Sequence, residues 1–581
     1  MSWRRLFPFL MCLLLTVSCG GPPKPIDIEK LLQDFIGSDL AMSPVTATET
    51  GFHDYEGVNL DSILDDYSEG GIRGFRIFYN TMHHNIDGLD STKLDPETRA
   101  DFALMRSYCE EQLFDLDTLQ TYRHNPTMYV ELIGRAINGP LILTYAPKEK
   151  RLKQIISRLN KIPQFLDTAK TNLVDSPEIW NTVAQEENTG NIGLIDQQVR
   201  SQVPAQLKSQ FDPAASSAIA ALRSFNQWLE KSLSLRRSDW RLGHDLYARK
   251  FAYEVANGKT PEQTLADAQA KLSEIRTQMR AESEQLWPRY FPRRPMPKEL
   301  NPLVSAVLDK IAQDHASPEA FFDQAKNDLA EATKFVQDHH LLPLPKLDNL
   351  QVIPTPEFMR GIYAVGGFDP APALQPELGA YFWITPITPD MSKADIESKL
   401  REYNRYGLQT LVIHEAMPGH WVQFQYANEV QPRSRGVLRT LLSSNPYVEG
   451  WAVYATQLMI DQGYEASPEM RLTFQKQMLR VVANTILDVK MQTQNMTDDE
   501  ALALMINQTF QERQEAVAKV RRAKLTSCQL PTYFAGWQAW LQLRDNDRRR
   551  AGSGFNLPEF HARALKEGAI PMSTLSKLML Q

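Results

Sequence analysis

The stretch His414-Glu415-Ala416-Met417-Pro418-Gly419-His420-Trp421-Val422-Gln423 decides how this chain is read. Two imidazoles bracket the carboxylate of Glu415, and a further glutamate stands in Tyr447-Val448-Glu449-Gly450-Trp451. Neutral imidazole nitrogens and a carboxylate oxygen are donors that zinc takes from protein, leaving a fourth position for water. Glu415, beside the first imidazole, is placed to take a proton from such a water. The common zinc-peptidase spacing puts two histidines four apart on one helix face. Here they are His414 and His420, and six helical steps rotate by roughly 240°. A continuous helix would point the two rings in different directions. Pro418 and Gly419 lie between them; proline breaks the helical ladder and glycine admits unusual backbone angles. The spacing therefore predicts a helix that ends or bulges at Met417, with the chain swinging His420 back towards His414. The competing reading is a pair of surface histidines on an interrupted helix.

Working outward, the segment from Leu341 to Pro386 is dense in proline, with Pro343, Pro345, Pro354 and Pro356 in its first half, which excludes long helices. Leu350-Gln351-Val352-Ile353 and Ala380-Tyr381-Phe382-Trp383-Ile384-Thr385 are short and β-rich, and read as strands. Elsewhere the chain is helical in pattern. Thr260-Pro261-Glu262-Gln263 is a capping box with proline at the first helical position. Ser317-Pro318 and Ser467-Pro468 read as further helix starts, and Thr497-Asp498-Asp499-Glu500 caps a helix running towards Arg522. Apolar residues in these runs recur at three- and four-residue spacing.

The segment His414 to Gln423 resembles the H-E-x-x-P-G-H-x-x-Q signature of a bacterial family known as domain of unknown function 885. That family is grouped with zinc peptidases of the thermolysin-like, Glu-liganded type. The likeness extends along most of the chain. Pro44 to Tyr55 (PVTATETGFHDY) is similar to an early P-x-x-A-T-x-x-G-x-H-D segment, and Glu449 to Tyr454 resembles E-G-W-A-x-Y. Arg522, Gln529, Tyr533 and Gly536 fit a late R-…-Q-x-x-x-Y-x-x-G pattern. The resemblance implies that His414, His420 and Glu449 bind one zinc ion and that Glu415 is the general base. It makes Tyr533 the candidate oxyanion donor, while Arg522, Gln529 and His53 become candidate substrate contacts. His53 could equally cap a loop. The resemblance also implies a mainly α, zinc-peptidase-like fold with a small β-sheet beside the metal-site helix and a deep cleft. In such peptidases a sheet-edge strand holds an extended substrate by backbone hydrogen bonds. Gly379 to Thr385, with Tyr381, is the candidate for that strand, and a buried structural hairpin is the alternative. Two departures stand out: Thr456 occupies a place where the family often has a second acid, and Asn484-Thr485-Ile486-Leu487-Asp488 replaces a D-T-G-x-H stretch. Both point to a divergent specificity.

The N-terminus sets the expected compartment. Arg4 and Arg5 precede an apolar run, Leu6 to Val17, that is short for a membrane span of about 20 residues and reads as a signal peptide. Thr16-Val17-Ser18-Cys19-Gly20 resembles a lipoprotein processing site, with simple secretion as the alternative. The expected layout is a signal peptide (1–18), a tether (19–26), a helical region (27–340) and a catalytic region (341–581). The last two read as one integrated unit, 27–581. Lipidation of Cys19 would be the sole membrane attachment. The expected location is the bacterial outer membrane, facing the periplasm. The 43% hydrophobic and 23% charged composition is ordinary for a globular protein. A net charge of -7, without a dense basic run, argues against a nucleic-acid partner. Cys109 and Cys528 are free to pair or to stay buried as thiols; neither belongs to a C-x-x-C metal site. The function expected is a zinc metallopeptidase acting on short peptides. The alternative is a lipoprotein that keeps the fold and serves as a binding or scaffold subunit.

Overall fold

Helices dominate the described residues, and their starts follow local capping chemistry. The structure, a computed structural model, describes residues 27–346, 348–360, 365–388 and 391–580. Cys19, with the signal and tether segments, lies outside the described residues. Helix α1 (Ile28–Met42) begins where Asp27 accepts from Lys30 N, and α2 (Pro44–Thr50) begins on Pro44. Helices α3 (Thr127–Ile142) and α4 (Glu178–Gly193) belong to an apolar cluster that gathers Tyr129 to Leu233 together with Val45 and Phe358. Helix α5 (Pro261–Tyr290) starts on the Thr260–Gln263 capping box. A larger cluster joins residues from Leu32 to Met579, so side chains from both sides of position 340 share it.

Some helix boundaries differ from the sequence expectation. Ser317-Pro318 forms a turn, in which Ser317 Oγ accepts from Ala320 N, and the helix proper runs Phe321–Asp338. The Thr497 capping box is present, but its helix stops at Ala503 and passes through a π-turn, Leu504–Gln508. Phe510 then takes a left-handed backbone (φ 57°) before a new helix begins at Arg513.

Among the described residues, five short strands form two sheets. β1 (Asp54–Tyr55) and β2 (Val58–Asn59) make a small hairpin. β3 (Leu350–Pro354), β4 (Gly366–Asp369) and β5 (Ala380–Ile384) form a mixed sheet in the order β3-β5-β4. β5 runs parallel to β3 and antiparallel to β4. Every residue of β5 is buried, which explains its unbroken apolar run. Its central place corrects the expectation for Gly379 to Thr385: both backbone edges of β5 are already paired, so it cannot take up a substrate strand. The edges belong to β3 and β4; β4, whose Gly-Gly-Phe-Asp sequence has little strand propensity and gave no signal, is the one that reaches the cavity described below.

The site is built from six further helices: α6 (Arg405–Glu415), α7 (His420–Ala427), α8 (Asn445–Asp461), α9 (Pro468–Thr493), α10 (Arg513–Leu525) and α11 (Pro531–Ala551). α8 lies along α11, and α5 along α9.

Candidate metal centre

Helix α6 is started by Asn404, whose side chain accepts from Tyr406 N and Gly407 N. It ends at Glu415, and its last turn is closed by the chain that follows. Ala416 N and Met417 N both reach Val412 O, and Gly419 N reaches Ile413 O at 3.0 Å. These bonds satisfy carbonyls that a helix end leaves unpaired. The turn passes so close to α6 that a Cβ on Gly419 would sit 1.9 Å from His414 O and 2.3 Å from Ile413 O. Only glycine fits there. His420 then opens α7 and faces back to His414, with ring centroids 4.9 Å apart and planes at 84°.

Glu449 arrives from the second turn of α8, as the fifth residue of that helix. Its Oε2 lies 3.6 Å from His414 Nε2 and 3.5 Å from His420 Nε2. One ligand atom from each of the three residues falls within 4.8 Å of the others. Ligands about 2.1 Å from a tetrahedral zinc stand about 3.4 Å from one another, so the two measured separations suit a shared ion. Glu449 Oε2 is buried and has no hydrogen-bond donor among the described residues. Burial works to raise the Glu449 carboxyl, but the two imidazoles outweigh it and hold the group well below the usual range. It remains an anion, as a metal ligand must.

Two contacts fix this arrangement that the sequence did not single out as site features. Trp451 Nε1 donates to Pro418 O at 3.0 Å and Gly419 O at 3.2 Å. The helix that carries Glu449 thus grips the turn that aims His420. The signal was its place in the Glu449-Gly450-Trp451 motif. Second, α8 and α11 cross on glycines: a Cβ on Gly536 would meet Pro446 O at 1.9 Å and Gly450 Cα at 2.8 Å. This close crossing brings Gln529 and Tyr533 beside Glu449. Gln529 Nε2 donates to Glu449 Oε1 at 3.3 Å, turning the other oxygen towards the imidazoles.

The three ligand candidates line a cavity of about 400 Å³ together with Glu415, Tyr533 and Arg522. Glu415 is buried, and no described residue hydrogen-bonds its carboxylate. Burial raises its carboxyl above the ordinary range, against the pull of the two imidazoles. The Tyr533 ring lies nearly parallel to that of His414, with centroids 6.2 Å apart. Burial, then the Glu449 charge, push its phenol well above the ordinary value, so it stays protonated as a donor. Val365 to Phe368 bring the edge strand β4 into the same cavity. Thr456 and Asn484, the two departures from the family pattern, also line it. Thr456 Oγ1 donates to Ala452 O, and Asn484 Oδ1 is buried without a donor among the described residues.

Two predicted substrate contacts lie elsewhere. His53 Nδ1 meets Asp61 and its Nε2 meets Gln375, each at 2.9 Å, while its ring stacks on Tyr145 at 4.2 Å. Both nitrogens are committed, and Asp61 also accepts from Thr48 and Gln154. The early motif therefore forms a polar network that ties α2 to its neighbours. Tyr381 packs with Leu143 and Trp383 in a small separate cluster, and its hydroxyl points to Ile142 O. Among the described residues the cavity lining includes neither. Cys109 and Cys528 are both buried free thiols. The paired histidines are placed without ligand geometry: His83 meets Glu110 at 3.0 Å near the surface, and His339 stacks on Phe335.

Fold and site together define a mainly helical protein with a two-histidine, one-glutamate candidate metal centre beside a small mixed sheet. Residues 44–579 match the family described as bacterial protein of unknown function (DUF885), and the chain belongs to it. Two solved structures are similar. A candidate lipoprotein of unknown function from Shewanella oneidensis is 28% identical with a TM-score of 0.80, over 96% of this chain and 100% of its own. A candidate lipoprotein from Colwellia psychrerythraea is 18% identical with a TM-score of 0.78, over 95% and 98% respectively, a likeness of fold. No curated protein matches the chain.

Proposed function

We propose that this protein is a zinc-dependent metallopeptidase that hydrolyses short peptides. The observation that carries this reading is the convergence of His414, His420 and Glu449 in a cavity that also receives Glu415 and Tyr533. The donor set suits zinc in type, number and spacing, and it keeps a fourth position open. His414, His420 and Glu449 would hold the zinc, which would supply Lewis-acid chemistry towards a water and a substrate carbonyl. Glu415, buried and without a hydrogen-bond donor among the described residues, takes the water's proton at its free carboxylate and later returns it to the leaving amine. Tyr533 donates its O–H where negative charge develops on the scissile carbonyl oxygen. Gln529 holds Glu449 in its ligating orientation, as outer partners of metal ligands do. The free edge of β4 offers backbone donors and acceptors to an extended peptide, the part first assigned to β5.

The short tether after Cys19 and the names of the two similar structures support a lipid-anchored protein of the cell envelope, facing the periplasm from the outer membrane. Among the described residues, no helix is long and apolar enough to cross a membrane.

Metal analysis with activity tests this function. Purified protein is expected to hold stoichiometric zinc and to cleave members of a mixed peptide library, with sites read by mass spectrometry. His414→Ala should lose the metal. Glu415→Gln should keep it and lose turnover by about 100-fold or more. Folded protein that takes up no metal would overturn the enzyme reading and leave a binding or scaffold subunit.

A further inference from the structure

Helix α10 turns one stripe of side chains into the cavity: Glu515, Ala518, Lys519 and Arg522 all line it, at the spacing of a single helix face. The acid on this stripe is already engaged. Glu515 Oε1 pairs with Arg480 at 2.9 Å, and its Oε2 accepts from Tyr403 at 3.1 Å. Arg480 in turn also bonds Tyr403 and approaches Glu402. Lys519 is different. No described residue forms a hydrogen bond or ion pair with its ammonium group, although it is half-buried beside two arginines. Burial lowers its pKa to about 8; the charges of Glu515 and Glu449 oppose that shift, and Arg480 and Arg522 add to it. A partly buried cation with no directly paired anion costs free energy unless something in the cavity pairs with it. It lines the same cavity as the three ligand candidates, so a group that pairs with it also faces the reacting end.

We propose that Lys519, one helical turn before Arg522 on the cavity face of α10, anchors a carboxylate of the substrate, so that the preferred substrates are short peptides bearing a free carboxylate near the bond cut. This rests on the metallopeptidase reading and narrows it. The carboxylate is either the peptide's C-terminus or an acidic side chain. A charged hydrogen bond from the ammonium selects for it in both cases.

The test uses zinc-loaded full-length protein and three peptides of one neutral sequence: the free acid, the C-terminal amide, and the amide with an aspartate beside the scissile bond. The free acid or the aspartyl amide is expected to be cut with a kcat/KM about ten- to a hundredfold above the neutral amide. Which of the two is preferred identifies the source of the carboxylate. Lys519→Met should raise KM for the preferred peptide by about the same factor with kcat little changed, remove its preference over the neutral amide, and be rescued in part by Lys519→Arg. An unchanged preference in Lys519→Met would overturn the anchor. A second readout needs no turnover: N-acetyl-Ala-Phe as free acid should raise the Tm of metal-free protein more than its amide does, and Lys519→Met should abolish the difference. Lys519-dependent stabilisation without any cleavage would keep the anchor and remove the peptidase. Cleavage of all three peptides alike, with no such stabilisation, would do the reverse.

Discussion

Trp451 is the residue on which the geometry of the centre turns most directly. Its indole N–H bridges Pro418 O and Gly419 O, joining the Glu449 helix to the turn before His420. Trp451→Phe keeps the ring and removes the donor. Pro418 O then loses its donor, at a cost of about 1–3 kcal/mol, while Gly419 O keeps Gln423 N at 3.1 Å. Zinc affinity should fall about tenfold as His420 loses its fixed approach. Denaturant unfolding and zinc titration check the two effects, and unchanged zinc affinity would show that the turn holds itself. At this scale the sequence was informative where donors are named by residue type. His414, Glu415 and His420 could be named as candidates because two imidazoles and a carboxylate bracket Pro418-Gly419, and Glu449 because it is the acid of the Glu449-Gly450-Trp451 motif. Tyr381 and His53 were misplaced because side-chain direction and prior engagement depend on neighbours far away in sequence, such as Gln375 for His53.

Among the elements, the α8–α11 crossing decides whether Glu449, Gln529 and Tyr533 meet. Backbone lies against backbone at Gly450 and Gly536, with no flexible side chain to yield. Gly536→Val should therefore force the helices apart, destabilising the fold by about 2–3 kcal/mol and lowering zinc content. The shift in denaturant midpoint measures the first effect, and metal analysis of folded protein the second. A variant with normal stability and full zinc content would refute the close-crossing account. The same scale explains the sheet. A short apolar run declared β5 a strand, but strand order follows from pairing across more than ten residues. Only the assembled sheet shows β5 inside and β4 at the edge.

For the whole molecule, the helix Leu557–Lys566 is tied in by His561, which carried no sequence signal. Its Nε2 meets Tyr454 Oη at 2.8 Å and its Nδ1 meets Leu341 O at 2.9 Å. Burial, with a smaller push from Arg544, lowers its pKa to about 4. The folded protein keeps this ring neutral, whereas the unfolded chain binds a proton below pH of about 6.5. Stability should thus fall as pH drops from about 6.5 towards 4, by up to about 3 kcal/mol from this group. Urea midpoints of wild type and His561→Gln across that range isolate the effect, since other titrating groups cancel in the difference. A constant difference would contradict the burial argument. The thiols give a second whole-molecule prediction. Burial raises Cys109 to about 12 and Cys528 well above its ordinary value. Neither should react with a thiol reagent before denaturant is added, and reductant should leave Tm unchanged.

By itself the sequence determined the helical character, the capped starts at Thr260 and Ser467, a helix break between His414 and His420, which falls at Glu415 rather than Met417, and the chemical types of the metal-binding candidates. Those properties are local: they depend on propensity, caps and the backbone limits of proline and glycine within a few residues. Tertiary structure alone decided that Glu449 meets the two imidazoles, that β4 is an edge strand lining the cavity, and that Lys519 lines the cavity without a hydrogen-bond partner among the described residues. Each of these depends on chain segments far apart in sequence being packed against one another, and a pairing of that kind leaves no periodic trace in either segment.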